Sequence, residues 1–355
     1  MPLPRHLAMS AATSGLAASA PADTRLAEVQ RLIEELTGQA PPATRSPAEW
    51  ETAYGRVIDV LMPAKEYPLP GGKRTSGMVV LDQIVRRALN PEKAAQRAAL
   101  VRALLVRLEK SRDLNQRVYC LREFAVLGTE ESVDVLARLL GDADTTIRQY
   151  ALAALESNPS PGAGRALAAA LHGTRDPAWR VALVQALGRR RHENAQRVLV
   201  ELIGDPQESV AAAALLALGN LGSAAALPSA SGPPARRGGE IDAARDHAIL
   251  LCAERLAERG DLPAARSLYL RVFRSGQASH LRCGALSGLV RCGPAEAVPH
   301  VLEALAGSDA VLQAHAARLA GTIPGKEAAS RFRAALPRLP ARVQELLSEA
   351  LSAAP

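Results

Sequence analysis

The chain contains 355 residues with a formal net charge of +7, and only 3% of its residues are aromatic. No run approaches the roughly 18 apolar residues that a membrane-spanning helix needs, so the sequence predicts no membrane span. The four cysteines form no C-x-x-C pair and have no histidine at metal-ligand spacing, which argues against a thiolate metal site and favours buried free thiols.

The first segment, residues 1–24, is rich in alanine and serine. Its Ala18-Ser19-Ala20 triplet is typical of a signal-peptidase site, whereas its middle is too polar for a good apolar core region. A disordered leader and a signal peptide therefore both stay open. The location stays open with them, either exported to the periplasm or cytoplasmic.

Residues 25–110 are predicted to form an N-terminal helical cap region. Ser46 stands before a helical pattern as its capping residue, and Asn90-Pro91 separates two further helices. Atypical terminal units of this kind are expected at the open end of a repeat array.

A leucine recurs through the rest of the chain at gaps of 28–38 residues. Eight residues before each leucine stands a non-polar or aromatic residue, and alanines fill the stripe between them. This spacing predicts an amphipathic helix in every copy, packed closely against its neighbours. The leucines are Leu127, Leu155, Leu187, Leu218, Leu256, Leu289, Leu319 and Leu351.

A second apolar helix follows in most copies, so that each unit is predicted to be a helix hairpin. Gly128, Gly188 and Gly219 directly follow the leucine, where a left-handed helix stop is expected. Acidic residues precede the next first helix and are expected in N-cap or first-turn positions. These residues are Asp144, Asp176, Asp205 and Asp309.

The repeats divide into a first block at 111–221 and a second block at 242–355. Between them, residues 222–241 form an insertion rich in proline, glycine and serine, which is predicted to be flexible. A hinge between two half-solenoids and a plain surface insertion both remain open.

Three segments, GDADTTIRQYALAALE, RDPAWRVALVQALGRR and GDPQESVAAAALLALGNLG, resemble bacterial HEAT-like repeats of the PBS-lyase type. Arg148, Arg180 and Arg282 match the arginine of that pattern. No continuous arginine ladder is expected, because other copies carry Cys120, Ala211, Ile249, Leu312 and Gln344 there. The order of segments is similar to HEAT repeat proteins of planctomycete and verrucomicrobia type. The resemblance implies an all-α, right-handed α-solenoid of about eight helix pairs.

No convergent catalytic set can be identified. GGKRTSG at 71–77 lacks the spacing of a phosphate loop. The single His192-Glu193 pair resembles one element of deoxyhypusine hydroxylase, a HEAT-like di-iron enzyme that needs repeated pairs. We therefore predict no enzymatic activity, no cofactor and no metal.

The sequence favours a scaffold that binds a protein partner on the concave face of the solenoid. Two alternatives remain: nucleic-acid binding through the arginine-rich region 175–197, and an accessory role to an exported enzyme. The arginines of this region form the candidate interaction patch, whether the partner is a protein or a nucleic acid. They are Arg175, Arg180, Arg189, Arg190, Arg191 and Arg197.

Overall fold

A computed structural model describes residues 22–41, 43–62, 76–190, 195–224, 240–276 and 278–353. Every regular element within these ranges is helical, and the predicted all-α solenoid is confirmed. None of the helices described is both long enough and apolar enough to cross a bilayer. The α-helices are α1 (Ala22–Thr37), α2 (Pro47–Leu61), α3 (Ser76–Ala88), α4 (Ala94–Lys110), α5 (Leu114–Leu127), α6 (Glu130–Leu139), α7 (Thr145–Ser157), α8 (Pro161–Gly173), α9 (Pro177–Arg190), α10 (Ala195–Leu202), α11 (Glu208–Leu221), α12 (Glu240–Glu258), α13 (Leu262–Ser275), α14 (Ser279–Cys292), α15 (Pro294–Ala306), α16 (Ala310–Thr322), α17 (Lys326–Ala335) and α18 (Ala341–Ser352).

The chain forms two compact units, which we call unit 1 (Met1–Gly173) and unit 2 (Thr174–Pro355). In unit 1, helices α1 to α8 make four hairpins. The first helices of different hairpins pack on each other, as α1 packs on α3 and α5 packs on α7. The second helices α2, α4, α6 and α8 pack in a continuous row. We call this row the second-helix row of unit 1. The Ser46 capping box predicted for α2 is present.

Unit 2 repeats the same arrangement on its own. The first helices α9, α11, α12, α14, α16 and α18 pack on one another in that order, and α15 packs on α17 among the second helices. Residues 225–239 of the predicted insertion lie outside the described residues, as do residues 1–21 of the predicted leader. The predicted domain boundaries stay a prediction.

The repeated leucine fills the core in most copies. Leu127, Leu155, Leu187, Leu218 and Leu289 are at most 1% exposed. The copy in α16 differs, because Val311 is 60% exposed while its neighbour Leu312 is buried. Asp309 caps α16, and the buried residue follows the cap by three positions, as Ile147 follows Asp144 in α7. The position of the cap therefore sets the register, and the leucine alignment is wrong by one residue in this copy.

The aspartates at the helix starts confirm the capping prediction at three of four positions. Asp144 and Asp309 each accept two backbone N–H groups, and Asp176 accepts the N–H of Ala178. Asp205 departs from the prediction, because α11 begins only at Glu208. Asp205 accepts the N–H of Gln207, which precedes that helix, and also binds a side chain of the preceding repeat.

The predicted left-handed glycine stops are wrong. Gly128 has an ordinary negative φ of −46°, and Gly188 and Gly219 lie inside α9 and α11. A β-carbon at Gly188 would lie 2.6 Å from Cβ of Ala217, and one at Gly219 would lie 2.4 Å from the carbonyl oxygen of Ala248. These glycines therefore permit close contact between stacked first helices, and the left-handed position that ends α11 belongs to Gly222, with φ of 72°.

Candidate interaction surface

Ion pairs join the neighbouring helices of the second-helix row in unit 1. Most of the participating side chains are one-third to two-thirds exposed, so each pair contributes about 0–1 kcal/mol to stability. Arg102–Glu51 and Arg107–Asp59 join α4 to α2, Arg102–Glu131 and Arg138–Glu109 join α4 to α6, and Arg165–Glu130 joins α8 to α6.

The first groove lies between α2 and α4 and has a volume of about 300 Å3. Val106 on its wall is 42% exposed. Apart from the chain neighbours and the backbone of its own helix, no atom lies within 4 Å of where a β-carbon of Gly55 would be. Its acidic and basic side chains balance, two of each. The lining residues are Glu51, Thr52, Gly55, Ile58, Asp59, Ala103, Val106, Arg107 and Lys110.

The second groove is the next along the row, between α4 and α6, with a volume of about 600 Å3. Three arginines and one glutamate line it, so its charge is positive. The lining residues are Leu108, Glu109, Ser111, Arg112, Arg117, Val135, Arg138 and Leu139.

Unit 2 carries a groove of about 290 Å3 at α12, α13 and α14. Glu254 and Glu258 outnumber Arg291 among its charged residues. Arg291 donates to the hydroxyl of Tyr269 at 2.9 Å and pairs with Glu254 at 3.5 Å. This groove is therefore slightly acidic, in contrast to the second groove of unit 1.

A family model for HEAT repeats matches residues 164–231, from α8 through α11. The family match and the all-α solenoid fold support HEAT-like repeats in this chain. Among solved structures it is similar to human deoxyhypusine hydroxylase in complex with glycerol, with 20% identity over 74% of this chain and 98% of that chain and a TM-score of 0.35. It is also similar to an engineered protein, with 19% identity over 98% of this chain and 93% of that one and a TM-score of 0.29. No match was found among curated proteins.

The arginine patch predicted from the sequence is divided between the two ends of one HEAT-like first helix. Arg175 precedes the start of α9, whereas Arg189 lies in its last turn. At 1.5 Å per residue these positions are separated by roughly 20 Å. Arg190, partly buried, ends α9, and Arg197 lies near the start of α10, where it faces Glu201 at 3.9 Å. Arg191 lies outside the described residues, and the patch stays a prediction.

Arg180, also predicted for the patch, is held by a carboxylate of the next repeat. Its Nη1 and Nη2 atoms donate to Oδ1 and Oδ2 of Asp205 at 3.1 and 2.5 Å, and the Asp205 side chain is only 6% exposed. Such two-pronged bonds to a covered carboxylate are strong and directional. Arg180 therefore links two repeats.

Similar arginine–aspartate links occur elsewhere and were missed in the sequence. Arg117 lies three residues before the motif position that Cys120 occupies. Its Nη2 atom donates to Asp142 at 2.7 Å. Arg282 lies 3.6 Å from Asp309. Arg148 instead donates to the carbonyl oxygen of Asp142. The available signal was an arginine in a first helix followed, about one repeat later, by an aspartate in a turn.

The part of the chain that the structure describes contains no assembled site for metal or thiol chemistry. No group of three or more His, Cys, Asp or Glu side chains there could hold a metal ion, and His192-Glu193 lies outside it. The four cysteines are free thiols. Burial raises the pKa of Cys120 to about 12 and that of Cys252 to about 11, so both are uncharged at neutral pH and poor nucleophiles.

Proposed function

We propose that this HEAT-like repeat protein is a non-enzymatic scaffold that binds a protein partner along its second-helix face. HEAT repeats generally mediate protein–protein interaction. Stacked helical repeats in general offer extended concave binding surfaces. The partner would lie across several repeats at once.

One observation carries the proposal: the second helices of unit 1 form an uninterrupted row with two consecutive grooves. The first groove lies between α2 and α4 and the second between α4 and α6. An extended or helical segment that follows the row would contact both grooves. The exposed side chain of Val106 gives that segment an apolar contact within the first groove.

The test uses a photo-crosslinking amino acid at one of two matched valines in the full chain. Val106 on α4 is 42% exposed and faces the first groove, whereas Val126 on the first helix α5 is 56% exposed and lies outside both grooves. Illumination in extracts of the source cells should give a discrete protein adduct from position 106 and none of that size from position 126.

Equal adducts from both positions, or an adduct at position 106 that nuclease removes, would refute the proposal. The second outcome would favour the nucleic-acid alternative. Identification of the adduct by mass spectrometry would also test the accessory role to an exported enzyme, which stays a prediction.

A further inference from the structure

The second groove of unit 1 has a charge pattern that the other two grooves lack. Three arginines reach it from separate elements: Arg112 from the turn between α4 and α5, Arg117 from α5, and Arg138 from α6. Among the described residues of its lining, Glu109 is the only acidic one. The first groove is balanced in charge and the unit 2 groove is slightly acidic.

The three arginines differ in how firmly they are held. Arg117 is 21% exposed and is fixed by Asp142, which leaves other guanidinium N–H donors of this side chain for a ligand. Arg138 pairs with Glu109 at 2.5 Å, but their side chains are 64% and 50% exposed. An exposed pair of this kind exchanges for a better partner at small cost.

Arg112 completes the set as an exposed arginine. It pairs with no acid among the residues that the structure describes. One preorganised, one exchangeable and one unpaired guanidinium thus converge on a single groove. Arginine binds carboxylates through two parallel hydrogen bonds, so the set suits a ligand with more than one carboxylate.

The apolar residues of the lining further restrict which ligand chemistry fits the second groove. Val135 and Leu139, both partly exposed, lie among the arginines, and a side chain such as leucine would bury apolar surface against them. The described residues of the lining include no aromatic side chain on which a base could stack. A phosphate track would also need cations spread along a backbone, whereas these three share one groove.

We propose that the second groove binds an acidic, leucine-containing peptide segment of a protein partner. This inference rests on the proposed scaffold function and names the chemistry of the segment. Its carboxylates would bond Arg112 and Arg138 and displace Glu109, while Arg117 would stay with Asp142 and donate its remaining N–H groups. Its leucine would contact Val135 and Leu139.

The binding test uses the full chain and a fluorescent peptide of alternating glutamate and leucine. Fluorescence anisotropy should show binding that weakens as salt rises, since charge pairs at a surface are screened. The same peptide with lysine in place of glutamate should not bind. The double variant R112E/R138E should weaken binding at least about tenfold, because like charges would then face the peptide.

Two further variants separate a specific groove from general positive charge. R331E/R342E makes the same change in charge at two exposed arginines of α17 and α18 in unit 2, outside the predicted patch, and should leave the peptide affinity unchanged. E109Q removes the competing carboxylate and should tighten binding about two- to fivefold. Circular dichroism should show unchanged helix content in all three variants, since the altered side chains are exposed.

Failure of the Glu/Leu peptide to bind the folded wild-type chain would overturn the inference, as would equal weakening by both double variants. Tighter binding of a single-stranded oligonucleotide than of the peptide, lost in R112E/R138E, would replace it with nucleic-acid recognition. A position-106 adduct that persists in R112E/R138E, together with no peptide binding, would refute this inference while leaving the scaffold function intact.

Discussion

Unit 1 and unit 2 stack the same kind of helix hairpin, and both contain arginine–aspartate links between repeats, but each adds a second kind of contact. In unit 1, ion pairs span the second-helix row, and Asn158 donates from one turn to the carbonyl oxygen of Thr129 in the preceding turn at 2.9 Å. In unit 2, glycines meet the next first helix directly, as Gly219 meets Ala248 and Gly321 meets Ala350.

Repeats of one architecture can therefore be joined by polar links or by glycine contacts. Polar links depend on pH and salt, because they act through charge and hydrogen bonds. Glycine contacts depend on side-chain size instead, since interiors are close-packed and a single added methyl group must displace a neighbour. Since each repeat contacts mainly its neighbours, a substitution should act on its own unit.

The largest effect is expected from Leu218→Ala in unit 2. Leu218 is fully buried, so truncation leaves a cavity and should cost about 2–5 kcal/mol of the free energy of unfolding. Leu351→Ala at the last helix should cost much less, because Leu351 is only partly buried. Hydrogen exchange should show lost protection in α11 and α12 for the first variant, and equal losses for both would contradict the register.

Gly219→Ala tests the steric contact itself. The new methyl group would lie 2.4 Å from the Ala248 oxygen, and overpacking of this kind costs about 1–3 kcal/mol. Gly284→Ala is the matched control, since its methyl group would meet Leu250 at an ordinary 3.6 Å and improve helix propensity by about 1 kcal/mol. Thermal unfolding should therefore move in opposite directions, and a shared direction would count against glycine-mediated stacking.

Asn158→Ala tests the polar contact in unit 1. It removes the donors to Thr129 and Ser132 and the acceptor for the Ser160 N–H, at a cost of about 1–3 kcal/mol. Asn158→Asp restores only the acceptor and should remain destabilised. Hydrogen exchange in the turns before α6 and α8 is the measurement. Wild-type protection in Asn158→Asp would show that the donors are unimportant.

The smallest effect concerns acid and the Arg117–Asp142 link. Burial raises the pKa of Asp142, but hydrogen bonds from Arg117 and the Asp144 N–H, with the nearby arginine charges, outweigh it, so the pKa lies below its ordinary 3.8. The link therefore stabilises unit 1 above that pH, and its contribution disappears as pH falls through the lower folded value. Asp142→Asn should remove this pH dependence from exchange in α5 and α7. An unchanged profile would contradict it.

The sequence determined the helices and three of the four helix starts marked by aspartates, because these follow from local chemistry. Apolar spacing gave the amphipathic stripe, and Asp144, Asp176 and Asp309 gave the helix starts, since a capping side chain bonds the backbone two or three residues away. The same local rule explains the failure at Leu319, where the leucine alignment disagreed with the cap.

Contacts between repeats were decided only by the tertiary structure. In the sequence, Gly188 and Gly219 look like helix stops. Only the position of the neighbouring helix shows that they allow close contact between stacked first helices. Arg180 looks like a ligand-binding cation until Asp205 of the next repeat is placed beside it. The second groove joins Arg112, Arg117 and Arg138 from three elements, and no spacing along the chain specifies that convergence, because it depends on how successive hairpins stack.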